Sequence, residues 1–107
     1  MNKWSYKEAL LLDEAVLSYA VEQIGGDPEI EEVKPSWTRI AEIHNKNSGS
    51  NRSPNACRHK YHDIRSEVLL EGLIEVSDYE WKLGLKKLRQ IAGPDAVKRI
   101  KNVIQSF

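Results

Sequence analysis

The chain has 107 residues, 40% of them hydrophobic and 30% charged, and its 16 basic side chains balance its 16 acidic ones. That length suits one small domain able to bury its own core without a disulfide or metal staple. A single cysteine excludes an internal disulfide, no apolar run approaches the ~20 residues of a membrane-spanning helix, and the amino terminus lacks the basic and apolar regions of a signal peptide, so an intracellular protein or a fragment of one is expected.

The neutral total hides a segregation of charge. Residues 1–33 carry two basic and eight acidic side chains, whereas residues 34–65 carry seven basic ones against Glu42 and Asp63, together with all three histidines. The middle third is therefore where a polyanion would be met.

Ser5 with Glu8 three residues later has the form of a capping box and starts a helix running to about Ile24. Ala9, Leu12, Ala15, Val16, Tyr19 and Ala20 recur at helical spacing, Leu10 and Leu11 broaden the face, and Trp4 sits just before the cap, where its ring can pack on the first turn. Gly25 and Gly26 end this scaffold helix. Residues 27–35, with two prolines and Glu29, Glu31 and Glu32, read as a polar loop from which Ile30 and Val33 can tuck against the core. Those carboxylates lack the regular ligand spacing of a calcium loop.

A second helix begins around Ser36 and places Trp37, Ile40, Ala41 and His44 on one side. Residues 46–52, KNSGSNR, read as a flexible polar turn whose Asn, Ser and Arg side chains can reach phosphate oxygens; a solvated connection is the alternative. In the third helix Ser53 is the cap and Pro54 takes the first helical position. Ala56, Cys57, Tyr61 and Ile64 form its apolar face, which makes Cys57 a small buried hydrophobe. Asn55, Arg58, His59, His62 and Arg65 take the remaining surface. A short helix held by one face and presenting Arg, His and Asn on the other has the form needed to enter a major groove.

Beyond Arg65, Val68, Leu69, Leu70, Leu73 and Ile74 suggest a further amphipathic helix or an extension of the third. Ser77 and Asp78 can cap another, carrying Tyr79, Trp81, Leu85, Leu88 and Ile91 and ended by Gly93 and Pro94. Val97, Ile100, Val103 and Ile104 then return at helical spacing. With no repeat and little sign of β structure, the expected fold is all-α. His59 and His62 lie three apart on one helix, but Cys57 faces inward and His44 belongs to another element, so no metal site and no cofactor are expected. No nucleophile, base and acid set and no glycine-rich phosphate loop can be assembled, which argues against an enzyme and against a small-molecule substrate.

Three stretches, WSYKE from Trp4, WTRIA from Trp37 and RSPNACRHKY from Arg52 to Tyr61, resemble the Myb/SANT family over about residues 3–66. The family pattern is one large aromatic on each of three helices, here Trp4, Trp37 and Tyr61, whose rings fill the centre of a small domain. The chain departs from it in the inserted residues 25–35 and in tyrosine standing for the third tryptophan. The long first connection and CRHKY are also similar to plant trihelix relatives, which often add a helix after the third.

The resemblance implies a three-helix, helix-turn-helix core in residues 1–66, with two or three further helices in residues 67–107 that pack on it or form an interface. In Myb-type repeats the third helix reads the major groove; in SANT modules the equivalent surface often meets histone tails or other proteins. The matching base-reading positions are Asn55, Arg58, His59 and His62. Arg58 suits guanine O6 and N7, Asn55 suits adenine or a phosphate, and either histidine can donate to a guanine acceptor. Lys46, Arg52, Lys60 and Arg65 are the implied phosphate clamps. The expected function is sequence-specific binding of double-stranded DNA in a nuclear transcription, chromatin or chromosome-maintenance protein. A SANT-type protein or histone-tail interaction module in a chromatin complex is the alternative. Trp81, Leu85, Ile100 and Ile104 are candidates to meet a protein partner or a second copy.

Overall fold

A first helix that is apolar on more than one side has to be covered from more than one side, and this requirement organises the chain. The structure, a computed structural model, describes residues 3–27, 29–64, 90 and 95–107. Among the described residues there are four helices and no strand: α1 (Tyr6–Gly26), α2 (Trp37–Ser48), α3 (Pro54–Ile64) and α4 (Ala96–Ile104). The fold is all-α, and α2, α3 and α4 all pack against α1.

The expected stripe of α1 is buried, from Ala9 and Leu12 through Ala20, and it is joined by Leu11, Leu17, Val21 and Ile24. Each fully buried Leu, Ile or Val contributes roughly 1.5–3 kcal/mol of transfer free energy, far more than helix propensity does. Asp13 and Glu14 are buried on the same helix. The Ser5 hydroxyl accepts from the Glu8 N–H at 3.1 Å, so the cap forms as expected. The Glu8 carboxylate, however, turns to Arg52 and His44, so its side chain serves a tertiary contact.

The connection after α1 is pinned at several points. Ile30 is half-buried and Val33 buried, the Tyr19 hydroxyl donates to the Lys34 carbonyl at 2.7 Å, and Arg99 of α4 donates to the Ile30 carbonyl. Ser36 caps α2 through the Arg39 N–H at 3.4 Å. That helix continues to Ser48, so Lys46, Asn47 and Ser48 are helical where a polar turn was expected. The stop is Gly49, whose φ of 70° is the left-handed conformation that ends many helices.

The turn that follows is fastened. Asn45 accepts from the Arg52 N–H and donates to the Arg52 carbonyl, both at 2.9 Å, as a neighbouring strand would. Ser53 then caps α3 through the Ala56 N–H at 3.1 Å, with Pro54 as its first residue.

Cys57, Tyr61 and Ile64 of α3 enter the core. All three family-type rings pack on the core, with Tyr61 inside it and Trp4 and Trp37 partly buried against it. Trp37 packs on Tyr61 with centroids 5.7 Å apart, whereas Trp4 packs on His44 at 5.1 Å; of the three only Tyr61 is fully buried. Ile100, a candidate interface residue, is 1% exposed, because the apolar spacing of α4 seats it with Val103 in the core that α1 supplies. Ile104 is half-buried against the same core. Trp81, Leu85 and, apart from the helical Gln90, the helices expected between Arg65 and Gly93 lie outside the described residues.

Candidate nucleic-acid interface

Burial of Cys57, Tyr61 and Ile64 fixes the rotation of α3, and the opposite side follows from helical geometry. Asn55, Arg58, His59, His62 and Asp63 are exposed, and Lys60 is half-buried. Arg58 donates through Nη2 to Asn55 Oδ1 at 3.3 Å, one helical turn apart. It is exposed and has no carboxylate partner among the described residues. Lys46 is exposed in the last turn of α2. Arg65 lies outside the described residues.

Two expected contacts are occupied by the fold itself. His62 Nε2 lies 2.8 Å from the main-chain oxygen of Phe107, which can only accept, so this nitrogen carries the hydrogen and donates it there. The Trp37 ring stands edge-on to the same imidazole at 6.1 Å. His62 is therefore a fastener between α3 and Phe107, just past α4, and its Nε2 hydrogen is not available to a guanine acceptor.

Arg52 is the second case. Its Nη2 and Nε meet the two oxygens of Glu8 at 2.7 and 2.8 Å, its Nη2 also donates to the Lys3 carbonyl at 3.1 Å, and its guanidinium lies 4.4 Å from the centre of the Trp4 ring. A two-pronged, stacked arginine is a structural clasp, and its charge is spent on Glu8. No family model, curated protein or solved structure matches the chain. What α3 can bind is thus decided by the chemistry of its own surface.

The polar cluster behind Arg52 is invisible to local sequence patterns. The Arg52 hydrogen bond, working against burial, holds the Glu8 carboxyl down at about 2. Being ionised, it accepts from Nε2 of the buried His44 at 3.0 Å. Spacing placed His44 on the inward side of α2, but its partner lies 36 residues earlier in the chain. Burial also pushes the Cys57 thiol up to about 11, which suits a packing role.

Elsewhere, a groove of about 560 Å³ runs between residues 29–33 and α4, with Glu29, Glu31 and Glu32 beside Arg99 and Asn102 and with Ile30, Val33 and Val103 in its wall. Among the described residues no group of three His, Cys, Asp or Glu side chains is placed to hold a metal ion.

Proposed function

We propose that α3 is a recognition helix for double-stranded DNA, carried by α1, α2 and α3 as a Myb/SANT-like or trihelix-like helix-turn-helix unit of a nuclear transcription, chromatin or chromosome-maintenance protein. The observation that carries this reading is the exposed Asn55, Arg58 and His59 on a helix held by its opposite face, with Arg58 bonded to an amide and, among the described residues, to no carboxylate.

A major groove about 12 Å wide admits one α-helix. Arg58 retains enough N–H groups beyond its bond to Asn55 to address guanine O6 and N7 together, and Asn55 keeps its NH₂ for an acceptor on a base or phosphate. His59 is the third base-facing group. Lys46 and Lys60 supply phosphate contacts that set register without reading sequence. Selection of bound duplexes from a randomised pool is the direct experiment: a preferred sequence that is lost in Arg58→Ala supports the assignment, and the same recovered pool for both proteins contradicts it.

A SANT-type module that binds a protein or a basic histone tail is the second reading. It is favoured by the acidic groove beside α4 and by the neutralisation of Arg52. Reversing the charge of Glu29, Glu31 and Glu32 together should then abolish binding of a lysine-rich peptide while leaving duplex binding intact.

A further inference from the structure

Tyr6 is the one large apolar side chain that is well exposed among the described residues, at 78%. It stands in the first turn of α1 between Lys3 and Lys7, both also exposed. Neither lysine forms an ion pair among the described residues, and the nearby Glu8 is already neutralised by Arg52. The start of α1 therefore presents two exposed ammonium groups, without a carboxylate partner among the described residues, around a solvent-facing phenol.

The backbone that carries this patch is tied to the start of α3. Arg52 stands immediately before the α3 cap Ser53, and it holds the segment leading into α1 through the Lys3 carbonyl at 3.1 Å and the Trp4 ring at 4.4 Å. The beginnings of the two helices are thereby neighbours, and the first base-facing residue of α3, Asn55, follows only three positions after Arg52.

We propose that Lys3, Tyr6 and Lys7 contact the sugar–phosphate backbone of the same duplex whose base edges α3 addresses, an inference that rests on the DNA-binding assignment above. When a helix start lies in a groove, a backbone strand runs past it, and a group held beside that start meets phosphates. Lysine ammonium groups and a tyrosine hydroxyl are ordinary phosphate donors, and the exposed ring can cover a deoxyribose. The occupant fitting this combination is a phosphodiester chain, since two unpaired cations repel a basic peptide and leave an acidic duplex favoured. Arg52 is then a positioning residue, which fixes the patch beside α3 without touching the ligand.

The test is a fluorescence titration of a labelled random-sequence duplex with the full chain over a range of salt concentrations, using wild type, Lys3→Ala/Lys7→Ala, Tyr6→Ala and Arg58→Ala. All of these side chains are exposed, and circular dichroism melting checks that each variant folds. The double lysine variant should bind more weakly and should lower the slope of log affinity against log salt by about 2, since each phosphate contact contributes ~0.9. Tyr6→Ala should weaken binding with little change of slope, and in pool selection neither should alter the preferred sequence that Arg58→Ala relaxes. The inference is overturned if wild type binds with salt dependence while the double lysine variant keeps its affinity and slope, or if that variant changes base preference. A wild-type chain without salt-dependent duplex binding would overturn the DNA-binding assignment and this inference with it.

Discussion

Arg52 and Arg58 stand six residues apart and have opposite surroundings. Arg58 faces solvent beside Asn55, whereas Arg52 is clasped by Glu8 and covered by Trp4. Arg58→Ala should therefore leave the unfolding midpoint unchanged while reducing discrimination at one base pair by about 1–3 kcal/mol, as competition between single-base variants of the selected duplex would measure. Arg52→Ala should do the reverse: it lowers the thermal midpoint by leaving Glu8 without its main partner, and Arg52→Lys should not restore it, since an ammonium cannot make the paired contact.

Two carboxyl groups give stability opposite pH dependences. Arg52 holds Glu8 at about 2 against an ordinary 4.5, so its contribution is complete above about 4.5 and disappears as pH falls toward 2. Burial, and then the neighbouring Glu14, raise Asp13 from 3.8 to about 7. The fold prefers its protonated form, so that contribution is complete below 3.8 and is lost as pH rises through about 7. Asp13→Asn should flatten the stability profile across that window and should be more stable than wild type at alkaline pH in urea titrations. A variant whose stability still declines as wild type does would exclude Asp13 as the source.

At this scale the caps Ser5 and Ser53 were legible because a capping hydroxyl and the N–H that donates to it lie three residues apart. The Arg52 and Glu8 clasp spans 44 residues, and no local rule reaches that far.

Helical spacing located all four described helices, since an apolar stripe is a property of consecutive turns. It misjudged the end of α2, because KNSGSNR is polar throughout and polarity does not distinguish the last helical turn from a loop. The discriminating feature is Gly49, with φ at 70° and open space around the position a Cβ would take. Gly49→Ala should therefore cost only the conformational penalty of about 1–2 kcal/mol, readable in chemical denaturation.

The role of α4 was half legible. Its spacing gave an apolar face but could not say whether that face meets the core or a partner. Ile100 settles on α1, and Ile100→Ala should cost about 2–5 kcal/mol as a cavity-forming change. His62→Ala, which removes the bond to Phe107, should cost about 1 kcal/mol and leave base preference intact.

At the scale of the whole molecule, the zero net charge of the sequence covers two unlike surfaces among the described residues. One carries exposed basic and amide groups of α3 and the start of α1; the other is the acidic groove between residues 29–33 and α4. The all-α class and the basic middle third were readable from composition and periodicity. Which cations remain free was not, because ion pairing joins residues distant in the chain.

Salt is the most direct probe of the proposed phosphate contacts. Titrating a duplex with the intact chain at increasing salt should give an affinity that falls linearly on logarithmic axes, with a slope of about −0.9 for each phosphate engaged. An affinity that does not respond to salt would contradict the assignment of α3 as a DNA-recognition helix.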